Sequence, residues 1–65
     1  MKIDKKKTQM AMARNRKDRG DIVRHGIGTQ TWCNALNGKD VRPKTVGRIA
    51  DALGVDVLEI IADEG

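Results

Sequence analysis

Gly26-Ile27-Gly28-Thr29-Gln30-Thr31-Trp32-Cys33-Asn34-Ala35-Leu36-Asn37-Gly38 reads as a sharp turn feeding one short helix that a further glycine stops. Gly26 can take positive φ where a preceding helix ends, and Ile27 can then fold back onto that helix. Trp32, Ala35 and Leu36 stand three and four residues apart, which puts them on one helix face. Thr29, Gln30, Cys33, Asn34 and Asn37 take most of the remaining surface. That outer face is uncharged yet dense in side-chain donors and acceptors. A merely solvated helix would usually carry Lys and Glu there. A run of Thr, Gln and Asn suits the reading of hydrogen-bonding edges.

These residues resemble the turn and recognition helix of the Cro and phage-repressor helix-turn-helix family, also called XRE-like. The resemblance continues through Arg42-Pro43-Lys44-Thr45 and into Ile49-Ala50-Asp51-Ala52-Leu53-Gly54-Val55, its most specific part. It covers about residues 18–61, and more loosely the whole chain. It implies an all-α, compact five-helix, lambda-repressor-like DNA-binding domain, with the helix-turn-helix at about residues 18–38. Many members of the family are regulators carried by phages or mobile elements.

The 65 residues make one domain at most. A chain of this size buries only about 60% of its unfolded surface and is marginal on its own. A single Cys excludes an intrachain disulfide, and no His or Cys cluster offers a metal or cofactor site. A reducing cytoplasm is the expected compartment. No apolar run approaches the roughly 20 residues that span a bilayer, and no secretory signal core is visible, so no membrane role is expected. The net charge of +4 is unevenly spread. Residues 1–20 hold eight basic side chains against Asp4 and Asp18, a local +6. Residues 21–44 carry +2, and residues 45–65 carry −4. A basic pole suits a polyanion, with the acidic end turned away from it.

The first helix is expected from residue 4 to about 16, in a segment of good helix formers without Gly or Pro. Thr8, Ala11, Met12 and Asn15 share its inner face, where larger aliphatics are usual in the family, so weak docking is expected. The lysines around it read as a solvated face. Asp18 is the N-cap of the second helix, Asp21 completes a capping box, and Ile22 and Val23 form the buried face before Gly26 ends it. Here the chain departs from the family pattern. One residue is missing between Ile22-Val23 and Gly26, and Lys17 stands where an aliphatic is common. A shortened second helix or a tighter turn follows. The third helix runs from about Thr29 to Asn37. Pro43 opens the fourth, where its missing N–H costs nothing. Val46, Ile49, Ala50 and Leu53 are its buried stripe, and Gly54 caps it. Asp56 and Glu59 form a capping box for a last short helix carrying Val57, Leu58, Ile60 and Ile61. No strand is expected, and the chain ends are expected to fray.

Gln30 and Asn34, four apart, lie on one helix face, and side-chain amides can pair bidentately with adenine. The resemblance assigns base reading to Thr29, Gln30 and Asn34. Lys39, Arg42 and Lys44 follow that helix, where family members often clamp the sugar-phosphate backbone. Arg19, at the start of the second helix, has a similar claim, and Thr31 and Asn37 complete the backbone set. Each of these side chains also has a plain reading as polar surface. Trp32 is expected in the core. Cys33 reads as a small filler or minor contact beside the base-reading residues. His25 reads as structural, since no nucleophile or carboxylate constellation accompanies it, and the chain reads as a non-enzyme without a small-molecule substrate.

The sequence therefore points to a small transcriptional regulator of the repressor or Cro type. Its third helix would enter the major groove of double-stranded DNA at a pseudo-palindromic operator. A weak homodimer, strengthened on DNA, is expected, and the apolar C-terminal residues are candidates for its contact. Two rivals stay open. One is a protein-interaction module of the same fold, a modulator of a repressor or an antitoxin, with weak or no DNA binding. The other is nonspecific nucleic-acid binding through the basic N-terminus.

Overall fold

The computed structural model describes residues 1–62. Four α-helices follow one another: α1 (Lys5–Asn15), α2 (Arg19–Arg24), α3 (Thr29–Leu36) and α4 (Pro43–Leu53). A single 3-10 turn, Val57–Glu59, comes last, and no strand occurs among the described residues. The domain is all-α. No helix among the described residues is long and apolar enough to cross a membrane.

The stripe Val46, Ile49, Ala50 and Leu53 makes α4 the centre of the core, and all four side chains are buried. Pro43 occupies its first turn, and Gly54, at φ 70°, closes it in the left-handed conformation. Val55 then turns back, its N–H donating to the Ala50 carbonyl at 3.0 Å.

The small inner residues Thr8 and Ala11 of α1 are buried, while Met12 and Asn15 are half-buried. The Thr8 hydroxyl donates to the Asp4 carbonyl at 2.7 Å, so its burial leaves no polar atom unpaired. Polar bonds make up for the thin apolar face. Asn15 Nδ2 donates to the Leu53 carbonyl at 2.8 Å, capping the end of α4, and Arg14 pairs with Glu59 at 2.9 Å. Arg16 ends α1 at φ 54°, a left-handed turn that in a non-glycine residue costs roughly 1–2 kcal/mol.

The shortened second helix is present: α2 has 6 residues. Its expected capping box is also present, with the Asp18 N–H donating to Asp21 Oδ2 at 3.0 Å and the Asp21 N–H to Asp18 Oδ1 at 3.3 Å. Ile22 is fully buried, but Val23 is 44% exposed. Adjacent helical residues point about 100° apart, and a helix this short presents only its Ile22 side to α4. The expected pair of core residues is therefore one. Gly26, at φ 85°, ends the segment, and the Ile27 N–H returns to the Ile22 carbonyl at 3.4 Å as Ile27 enters the core.

Two further expectations are corrected. The last helix is only a 3-10 turn, although its capping box forms, with the Asp56 N–H donating to Glu59 Oε2 at 3.3 Å. The chain is claimed by other partners at once: the Ile60 carbonyl accepts the Asp4 N–H at 2.7 Å, and Ile61 forms an antiparallel bridge with Ile3. Ile60 is fully buried, Val57 and Ile61 are half-buried, and Leu58 is 73% exposed. The N-terminal segment is not frayed either. Ile3 is buried, the Ala62 N–H donates to the Lys2 carbonyl at 3.0 Å, and the Val41 N–H donates to the Met1 carbonyl at 2.7 Å. Residues 1–4 form a strap that ties the α3–α4 connection to the C-terminal turn.

Trp32 is 3% exposed on the inner face of α3, beside the fully buried Ala35. Trp32→Ala is expected to cost about 3–5 kcal/mol, most of the stability of so small a domain, and the native indole should emit at short wavelength. Chemical denaturation followed by Trp32 fluorescence checks both; a water-like emission maximum would contradict the buried placement.

Candidate nucleic-acid interface

The two faces of α3 differ in kind. Trp32 and Ala35 are held in the core, and Leu36 is half-buried against it. This fixes the rotation of the helix and turns Thr29, Gln30 and Cys33 outward, all exposed, with Asn34 half-buried at their edge. Gln30 and Asn34 are joined directly, Gln30 Nε2 donating to Asn34 Oδ1 at 3.1 Å. An amide nitrogen carries two N–H groups. The link to Asn34 uses one, and the other N–H and Oε1 have no partner among the described residues.

Asn37 is the C-cap of α3, and Gly38 follows at φ 81°. This reversal sends residues 39–42 back along α3. Thr31, Asn34, Lys39 and Arg42 meet there around one open cleft of about 400 Å³, with Asp40, Val41 and Thr45 completing its wall. The cleft brings together four of the residues expected at the site. Thr29, Gln30, Asn37 and Lys44 do not line it, although all four are exposed, Asn37 at the end of α3 and Lys44 in the first turn of α4. Arg19 is also exposed but stands apart, as the first residue of α2.

The electrostatics of the cleft are set by Lys39 and Arg42. Its one acid, Asp40, is engaged by the Met1 ammonium at 3.3 Å, and that ammonium also donates to the Val41 carbonyl at 3.0 Å. The loop is thus fastened to the N-terminal strap, and the two cations face a hollow whose single carboxylate is already paired. Asp40 and Thr45 are parts of the cleft that sequence reasoning missed. Thr45 had a legible signal, since it lies three residues after Arg42, the N-cap of α4, on the same face.

Cys33 is exposed, so the expected filler role is corrected: it points away from the core. His25 is the C-cap of α2 and lies with Nδ1 3.4 Å from the Asp21 carbonyl oxygen, a helix-end position. Among the described residues no group of His, Cys, Asp and Glu is placed to hold a metal ion. A scan against protein-family models, a search of curated proteins and a search of solved structures each found no match for the chain.

The capping box that starts α2 displaces the titration of one of its own carboxyls. The Asp21 carboxyl is held below its ordinary value of 3.8, first by the Asp18 backbone N–H it accepts. Lys17 and Arg24 add to the lowering, and partial desolvation opposes it. Because the folded value lies below the unfolded one, the stabilisation is fully present above pH 3.8 and is lost as pH falls through the lowered folded value. Asp21→Asn should therefore be less stable than the parent chain near neutrality and converge with it in acid. Thermal melts of both proteins on a descending pH series check this, and a difference that stays constant would contradict it.

Proposed function

We propose that the chain is a sequence-specific binder of double-stranded DNA, a small transcriptional regulator of the helix-turn-helix kind, in which α2 crosses the backbone and α3 enters the major groove. One observation carries the reading: the linked amides of Gln30 and Asn34 stand on the uncharged outer face of α3, beside a cleft armed with Lys39 and Arg42. The major groove is about 12 Å wide and admits one helix, and its adenines present a donor and an acceptor side by side. Gln30, with one N–H and Oε1 unengaged, has the complementary couple. Thr29 lies at the leading end of the same helix, where it meets a base edge, a thymine methyl or a phosphate. Lys39, Arg42 and Lys44, with Arg19, Thr31 and Asn37, hold the sugar-phosphate backbone, which positions the helix without reading sequence. In this reading the chain is not an enzyme and needs no cofactor.

The resemblance to the Cro and phage-repressor family carries the same expectation. The short connection through Gly26 and the uncharged run that follows it support assigning α2 and α3 to the helix-turn-helix. A rival protein-interaction role draws on the exposed Leu58 and Met10. Salt dependence separates the two, because a protein that contacts several phosphates loses affinity steeply as salt rises.

Selection from random duplex DNA supplies the preferred site on which variants are compared. Alanine at Gln30 or Asn34 should cost about 1–3 kcal/mol on that site and relax the choice of base at one position. Alanine at Lys39, Arg42 or Lys44 should weaken all sequences alike and lower the salt slope by about one each. Equal loss on selected and random duplexes for the Gln30 and Asn34 variants would contradict direct readout.

One helix of 8 residues reads few base pairs, so recognition as a two-fold pair on a pseudo-palindrome belongs to the same proposal. The Cα envelope measures 30 × 23 × 17 Å, so two abutting copies can set their α3 helices about 34–36 Å apart, one turn of DNA. Leu58 is a candidate for the contact. Asp63 and Glu64, expected to weaken pairing by mutual repulsion, lie outside the described residues. Sedimentation equilibrium should find weak self-association without DNA, and titration should find cooperative binding to full palindromes. Full sites no tighter than two isolated half-sites would contradict dimeric recognition.

A further inference from the structure

A second open cleft, about 190 Å³, lies beside the first and shares two residues with it. Thr31 of α3 and Thr45 of α4 line both, each half-buried, so their side chains form a ridge between the hollows. On one side stand Lys39 and Arg42. On the other stand Arg48 and the connection through Gly26 and Gly28. Arg42, Thr45 and Arg48 recur every three residues from the N-cap of α4 onward, so they step round the helix from the first hollow over the ridge to the second. Arg48 is exposed and has no ion-pair or hydrogen-bond partner among the described residues. Its net-acidic surroundings in sequence, residues 45–65, concealed it as a member of any basic patch.

We propose that Arg48 is a further backbone-clamping residue, and that one DNA strand crosses the Thr31–Thr45 ridge with one phosphate in each cleft. The inference rests on the duplex-DNA reading above. In it, Arg42 holds the phosphate in the first cleft, Arg48 holds its neighbour in the second, and Lys39 reaches the backbone beyond them, with the threonine hydroxyls positioned to donate to either. An arginine fork matches phosphate oxygens, and hydroxyl side chains are regular partners of the DNA backbone. The partner is a regularly charged strand because two cationic hollows in series, with their only acid already paired to the Met1 ammonium, match a repeating anion.

The test compares the parent chain with Arg42→Gln, Arg48→Gln, the double variant and Arg48→Lys, on the selected duplex and on random duplex. Losing one phosphate contact lowers the slope of log K against log salt by about 0.9. Each glutamine variant should flatten the slope by that amount on both duplexes, the double variant by about twice as much, and Arg48→Lys should keep the parent slope. Single methylphosphonates placed along the selected site locate the contacts. The parent chain should be sensitive at two neighbouring positions of one strand, Arg48→Gln insensitive at one of them and Arg42→Gln at the other. Because Arg48 is exposed, Arg48→Gln should melt as the parent does.

An Arg48→Gln variant with the parent's slope and sensitivities overturns the assignment, while a flattened Arg42→Gln leaves the DNA reading standing. A loss confined to the selected duplex makes Arg48 a base reader and overturns the clamp. Arg48-dependent binding to polyglutamate as tight as to duplex assigns the residue to an acidic polypeptide instead. No salt-dependent duplex binding by the parent chain overturns both readings.

Discussion

The burial of one stripe on α4 is the constraint on which the domain depends. Val46, Ile49 and Leu53 are fully buried, in a core cluster that they share with residues of every other element. Every other element is shaped to reach that stripe. The helix α1 brings small residues and a side-chain cap, α2 brings Ile22 alone, and the C-terminal turn brings Ile60. Deleting a large side chain here typically costs 2–5 kcal/mol, a sizeable part of the stability of any small domain.

In the proposed DNA-binding reading, the same packing supplies the precision that the outer surface of α3 needs. A helix locked by Trp32 and Ala35 cannot rotate, so Gln30 and Asn34 are presented in one fixed direction, and their mutual hydrogen bond removes rotamer freedom before any partner arrives. Order established in the free protein lowers the entropy that binding has to overcome. The loop bearing Lys39 and Arg42 is anchored in the same spirit. Its Val41 N–H and Asp40 carboxylate both bond to Met1, and Ile3, two residues on, is buried in the core. A strap from the start of the chain therefore steadies the cationic wall of the cleft.

The unusual features lie in α1 and α2, whose residues do not line this cleft. Arg16 holds a left-handed conformation that glycine would adopt more cheaply, and α2 is cut to 6 residues with Val23 left largely in solvent. The reciprocal Asp18–Asp21 box and the Ile27 return bond hold that short helix at both ends. Caps substitute here for apolar area.

Local chemistry in the sequence was enough for much of this fold. The 3.6-residue stripe of α4, the capping boxes at Asp18 and Asp56, and the reversals at Gly26, Gly38 and Gly54 all act over a few residues, and so leave a readable pattern. The two-faced character of α3, with Trp32 inside and Gln30 and Asn34 outside, was legible for the same reason. Tertiary structure decided what depends on residues distant in the chain. Ile3 is a single apolar residue among lysines, with no periodicity to mark it, and its place in the core depends on Ile60 and Ile61 at the other end. The final helix stops after one turn because the Ala62 N–H, which a longer helix would return to Leu58, donates to the Lys2 carbonyl of the same distant segment. The exposure of Val23 depended on how little of α2 meets α4. The gathering of Thr31, Asn34, Lys39 and Arg42 around one cleft, and of Arg48 just across the Thr31–Thr45 ridge, came from the packing of α3 against α4, because side chains from separate elements become neighbours only when the core between those elements is closed.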